Sequence, residues 1–140
     1  MIARFDLDAV RFDQDAGTVV VVAQDAVTGK VLMVAHADSE ALERTIETGE
    51  MHYRSRTRGL WRKGATSGNV QQVVGLTLDC DGDTVLLLVD QQGVACHTGR
   101  RSCFFRAWRD GGWAIIAEPE VPPEILYPGS QKASDRRELC

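Results

Sequence analysis

Two kinds of metal-binding side chain alternate in one short segment, Asp79-Cys80-Asp81-Gly82-Asp83. In an extended segment residues i, i+2 and i+4 point the same way. Asp79, Asp81 and Asp83 would then share one side, and Cys80 would face the other. Carboxylates held together repel unless a cation neutralises them, and hard oxygen donors suit Mg²⁺. The same residues also read as an acidic turn in solvent, because Asp-Gly-Asp is ordinary turn chemistry.

Cys96-His97-Thr98-Gly99 and Cys103 lie downstream, with fifteen residues between Cys80 and Cys96 and six between Cys96 and Cys103. No pair has the two-residue spacing of a zinc knuckle. Cys140 ends the chain beyond a proline-bearing stretch and is read as a bystander. Three thiolates then remain. Three protein ligands leave zinc one position for water, whose pKa the ion lowers to about 7. The alternative is that these cysteines are small core residues. His97 beside Cys96 is the candidate general acid or base, or a structural hydrogen bonder. His36 and His52 stand near strand ends and are read as structural.

A second constellation is basic. Arg54, Arg56, Arg58, Arg62 and Lys63 occupy a run without any acid, in a chain of formal net charge −4. The run leads into Gly64-Ala65-Thr66-Ser67-Gly68-Asn69. Arginines grip phosphate bidentately, glycines let backbone N–H groups approach an anion, and Ser67 adds a hydroxyl donor. Trp61 could stack on a base. A nucleotide with two phosphates suits such a loop. The competing reading is an exposed basic face with Trp61 in the core. The loop matches neither a Walker nor a Rossmann fingerprint.

Around these groups the pattern predicts mostly strands. Val19–Ala23 and Val31–Ala35 form a hairpin about Asp25–Lys30. Asp38 or Ser39 caps a short helix that stops at Gly49. Met51–Arg56 is a strand, and Thr57–Asn69 a long ordered loop. Val70–Leu78 and Thr84–Val89 are strands, the latter buried on both faces. Phe104–Trp108 and Trp113–Ala117 flank a turn at Asp110-Gly111-Gly112. The fold class is therefore α+β: β-hairpins and a mixed sheet with one short helix. Residues 1–117 form one domain, and 118–140, which hold all four prolines, an extended tail.

Hydrophobic residues at 44% and charged residues at 26% fit a globular chain. The acidic balance argues against general nucleic-acid binding, which shows as a basic surplus. No apolar run reaches the roughly 18 residues of a membrane span. The N-terminus does not read as a signal peptide, so the expected location is cytoplasmic. A zinc deaminase needs His-x-Glu and Pro-Cys-x-x-Cys, and neither is present. A zinc module that binds nucleic acid remains the non-enzymatic alternative.

Taken in order, these motifs resemble the phosphoribosyl-AMP cyclohydrolases. The matching residues begin with Gln24-Asp25, Thr28-Gly29, Val31-Leu32-Met33 and Glu40-Ala41-Leu42. They continue with Tyr53-Arg54-Ser55-Arg56, Leu60-Trp61-Arg62-Lys63-Gly64 and Thr66-Ser67-Gly68. Asp79-Cys80-Asp81 with Asp83, Ala95-Cys96-His97-Thr98-Gly99 and Ser102-Cys103-Phe104 complete the series. The resemblance implies hydrolysis of the purine N1–C6 bond of phosphoribosyl-AMP in histidine biosynthesis. It implies zinc on Cys80, Cys96 and Cys103, and magnesium on Asp79, Asp81 and Asp83. It also implies an intertwined homodimer with zinc ligands from both subunits. Substrate contacts are expected from Arg54, Arg56, Arg58, Trp61, Lys63 and Ser67. One departure stands out: His36-Ala37-Asp38 replaces the family's usual Tyr-Met-Asn.

Overall fold

A computed structural model describes residues 7–126. After a 3-10 turn at Leu7–Ala9, β1 (Val19–Asp25) and β2 (Val31–Ala37) pair antiparallel. Their turn is tied by Asp25, whose Oδ1 accepts the N–H groups of Val27 (2.8 Å) and Thr28 (2.9 Å). These bonds, that of Thr28 first, hold the Asp25 carboxyl below its ordinary pKa. Stability linked to Asp25 is therefore present above the ordinary carboxylate pKa and is lost as pH falls through the lowered folded value. Asp25→Ala is expected to cost about 1 kcal/mol near neutrality in urea unfolding, given the site's exposure. That deficit should shrink in strong acid.

Helix α1 (Ser39–Thr48) follows, capped as expected: Asp38 accepts from Ala41 N–H, and Gly49 adopts a left-handed conformation at the other end. β3 (His52–Ser55) then pairs with β4 (Gly59–Arg62), a strand inside the segment expected to be a loop. No alternation of apolar residues announces β4. Gly59, with φ 71°, reverses the chain so that Trp61 lies opposite Tyr53.

β5 (Gln71–Leu78) and β6 (Thr84–Gln91) form the next hairpin. The four-stranded sheet has the order β2-β1-β6-β5. β1 and β6 run parallel and the other neighbours antiparallel, so the sheet is mixed as expected. β7 (Arg106–Arg109) and β8 (Gly112–Ile115) make a separate hairpin whose turn carries positive φ at Asp110 and Gly111. These two strands pack mainly on each other.

One face of the sheet makes the core. Val19, Val21 and Ala23 of β1 and Val85, Leu87 and Val89 of β6 pack with Ala41, Leu42, Met51, Tyr53 and Trp61. The other face is different. Burial alternates along β6, with Leu86 exposed, so β6 is not buried on both faces as its sequence suggested. Val34 and Val74 are exposed as well. The start of the 118–140 stretch folds back: Glu120 and Val121 donate to the carbonyl of Gly99, and Pro123–Leu126 forms a helical turn, α2. The remainder, with Cys140, lies outside the described residues.

Candidate active site

The β5–β6 turn presents the acidic motif. Asp79 Oδ1 accepts the N–H groups of Asp83 (3.1 Å) and Thr84 (3.2 Å), which curls the turn around that carboxylate. Asp79, Asp81 and Asp83 then converge, with ligand oxygens within 4.8 Å of one another. Desolvation opposes the Asp79 charge, but the N–H of Thr84 and its other hydrogen bonds outweigh this and lower its pKa. Hydrogen bonding with Asp83 and Asp79, and their negative charge, raise the pKa of Asp81. This crowding is what a hard divalent cation relieves, and the donor set fits Mg²⁺.

A cavity of about 1550 Å³ opens beside this turn. Its floor is the uncovered sheet face, at Val20 and Val34. Asp81 and Asp83 line one side, while Arg54, Arg56 and Trp61 line it from the β3–β4 hairpin. His36 and the segment holding Arg11, Asp13 and Gln14 also contribute. No motif announces these contributors: the N-terminal segment carries none, and His36, near a strand end, reads as structural. The strand alternation that turns Val34 outward also turns His36 outward, and this was the available signal.

The cations of the basic loop are not equivalent. Arg54 Nε donates to Asp38 Oδ2 at 2.6 Å, and its terminal nitrogen reaches Glu40 at 3.4 Å. Arg62 pairs with Glu50 at 2.8 Å. Arg58 lies over the Trp61 ring, 4.2 Å from its centroid. Trp61 itself is only 7% exposed and packs on Tyr53 with centroids 5.1 Å apart, so little ring face remains for stacking. Lys63 is 1% exposed and donates to the carbonyl of Ala95 at 2.5 Å. Ser67 accepts the N–H of Asn69. Arg58, Lys63 and Ser67 are not among the residues lining the cavity. Lys63→Met is expected to leave the Ala95 carbonyl without this charged donor and destabilise the fold by about 1–3 kcal/mol. Urea unfolding would measure this, and an unchanged midpoint would contradict it.

Cys96, His97 and Cys103 sit on a tight loop. Ala95 and Cys96 N–H groups donate to the carbonyls of Arg101 and Arg100, and Cys103 N–H donates to Leu32 O at 2.7 Å. Thr98 Oγ1 donates to Cys96 Sγ at 3.1 Å. Cys96 is buried, Cys103 half-buried and Cys80 exposed, and none forms a disulfide. β6 separates Cys80 from the other two. Cys80 precedes Thr84 at one end and Cys96 follows Gln91 at the other, a strand length of about 23 Å. Leu32, which anchors Cys103, lies alongside the middle of β6, since Val31 faces Gln24 and Gln24 faces Leu88, so Cys103 too is set back from the Cys80 end of that strand. Among the described residues the three sulfurs do not converge within one chain, and the aspartate triad is the one cluster that could hold a metal. Three thiolates suit zinc chemically, but a single chain does not assemble them.

Comparison with known proteins follows the same residues. The family model described as phosphoribosyl-AMP cyclohydrolase matches residues 33–105. A protein of that name from Granulibacter bethesdensis is 55% identical over 122 residues, covering 86% of this chain and 94% of the relative. Those from Rhodospirillum centenum and Rhodospirillum rubrum are 57% and 58% identical, covering 84% and 85% of this chain and 89% and 84% of theirs. The chain belongs to the phosphoribosyl-AMP cyclohydrolase family.

Proposed function

We infer that this protein is a hydrolase that opens the purine ring of 1-(5-phosphoribosyl)-AMP at N1–C6, giving the ring-opened carboxamide ribotide of histidine biosynthesis. The observation that carries this reading is the cavity, in which the acidic turn and arginines of the basic loop face one space. A phosphorylated substrate that reacts beside a metal needs both. The alternative of a nucleic-acid-binding zinc module calls for a closed four-ligand site, whereas Cys80, Cys96 and Cys103 offer three ligands.

The working site is proposed to form between two copies. Cys80 of one protomer would join Cys96 and Cys103 of its partner on a zinc ion, because β6 holds the two groups apart within one chain. Bound there, zinc supplies a Lewis acid that makes water nucleophilic near neutral pH. Asp79, Asp81 and Asp83 would hold magnesium beside it. His97 travels with Cys96 and so would arrive from the partner. Its imidazole would move a proton between the attacking water and the ring nitrogen. Arg54 and Arg56 would hold phosphate, with Trp61 as a wall of the pocket. The cationic, N1-substituted purine is already activated at C6. Among the described residues no helix is long and apolar enough to cross a membrane, and the proposed setting is the cytoplasm.

Purified protein given phosphoribosyl-AMP with zinc and magnesium should show the ultraviolet change of ring opening. A zinc chelator should abolish it and added zinc restore it. Absence of turnover with both metals present would overturn this reading.

A further inference from the structure

The substrate of the inferred reaction carries a phosphate at each end, one on each ribose. Two anion anchors on opposite sides of the pocket are therefore needed. The basic loop supplies one side only. β3 lies beyond β2, where Arg54 meets Asp38 just past the end of that strand.

The other side carries Arg11. Its backbone N–H donates to the carbonyl of Gly82 at 2.8 Å, so the N-terminal segment is fastened onto the acidic turn. Gly82 makes this contact possible. Its φ is +79°, and a Cβ there would lie 2.8 Å from the Ala9 carbonyl oxygen and 3.4 Å from Arg11 Cγ. Arg11 is thus placed at the start of β6 before any ligand binds. Val20 of β1 pairs with His36 of β2 on one side and Thr84 of β6 on the other. The acidic turn and the end of β2 are therefore two strand spacings apart, about 10 Å, with the β3 arginines farther still.

Charge pairing separates two of the three cavity-lining arginines from the third. Arg54, Arg62 and Arg101 each have a carboxylate partner. Arg11 and Arg56 both line the cavity, and neither forms an ion pair among the described residues. Asp81 and Asp83 stand near Arg11 without claiming it, and their charge is what a divalent cation takes up. An arginine held in place by its backbone and left without a counter-ion is suited to bidentate phosphate.

We propose that Arg11 is the second phosphate anchor of the substrate site, opposite Arg56. The two arginines read the two ends of the molecule, and the purine lies between them over Val20 and Val34. This rests on the functional reading above, and wild-type turnover of phosphoribosyl-AMP is the control that separates the two.

The test is steady-state kinetics on the metal-loaded enzyme with Arg11→Gln and Arg11→Lys. Arg11→Gln should raise KM about 10- to 100-fold, with kcat changed less than KM, and Arg11→Lys should recover part of the loss. Adenosine 5′-monophosphate, which has one phosphate, should lose affinity in only one of Arg11→Gln and Arg56→Gln. Normal wild-type turnover with KM within twofold in Arg11→Gln would overturn the Arg11 assignment alone. So would a shift in the magnesium requirement at unchanged KM, which would make Arg11 a partner of the acidic turn. Equal loss of adenosine 5′-monophosphate affinity in both variants would also overturn it. Absence of wild-type turnover would overturn both readings together.

Discussion

Mixing inactive Cys80→Ala and Cys96→Ala proteins is expected to restore activity. Each variant alone should fall to background, because in the proposed dimer both sites would lack one ligand. In a mixed dimer, one site is doubly damaged. The other takes Cys80 from the Cys96→Ala chain and Cys96 with Cys103 from the Cys80→Ala chain, and is intact. Random exchange makes about half of the dimers mixed, each with one working site of two, so recovery should approach about a quarter of wild type. The expectation follows from β6, whose length of about 23 Å keeps Cys80 away from Cys96. Mixing Cys96→Ala with Cys103→Ala should recover nothing, since both ligands belong to one loop. Turnover and zinc content after co-refolding would measure both cases. Equal recovery in the two mixtures, or none in either, would contradict the shared site.

The second large effect should come from the β7–β8 hairpin. Trp108 and Trp113 are 62% and 69% exposed and meet edge to face at 5.3 Å. Ile115, Ile116 and Phe104 extend the exposed apolar surface. A two-stranded hairpin is marginal by itself in water, and an apolar patch of this kind marks an interface. A second copy is the proposed cover. Trp108→Glu with Trp113→Glu is therefore expected to weaken the dimer by about 1000-fold or more, from two lost aromatic anchors. Sedimentation at micromolar concentration should show monomer, with zinc and turnover lost together. A folded, dimeric, active double variant would remove the hairpin from the interface.

Much of the local structure could be read from residue type. Asp38 and Gly49 bracket α1 because an N-cap oxygen and a left-handed glycine are local requirements. Asp110-Gly111 fixes the β7–β8 turn for the same reason. β4 was not legible: Leu60-Trp61-Arg62 has no alternation, and only its pairing with β3 makes it a strand. β6 misled in another way. Thr84–Val89 reads as doubly buried, but the cover for its outer face does not come from the described residues of the same chain.

Among the site residues, the carboxylate triad was legible from its closeness in sequence, but the way it converges was not: residues 79–83 form the curled β5–β6 turn and not an extended segment with alternating faces. The separation of the cysteines was not legible either, since spacing counts residues and does not give the direction of the strand between them. The basic loop showed its charge but not its burial. Lys63 and Arg56 look alike in sequence, yet one is enclosed against Ala95 and the other lines the cavity. Arg11 was invisible because its role depends on a backbone bond to Gly82, a partner far away in sequence.

The claim at the centre is that two chains complete one zinc site for ring opening. Native mass spectrometry of the active, zinc-loaded protein tests it most directly. The expected species is a dimer with two zinc ions, which loses both metal and turnover when the chains are separated. A zinc-loaded monomer that turns over phosphoribosyl-AMP would contradict it.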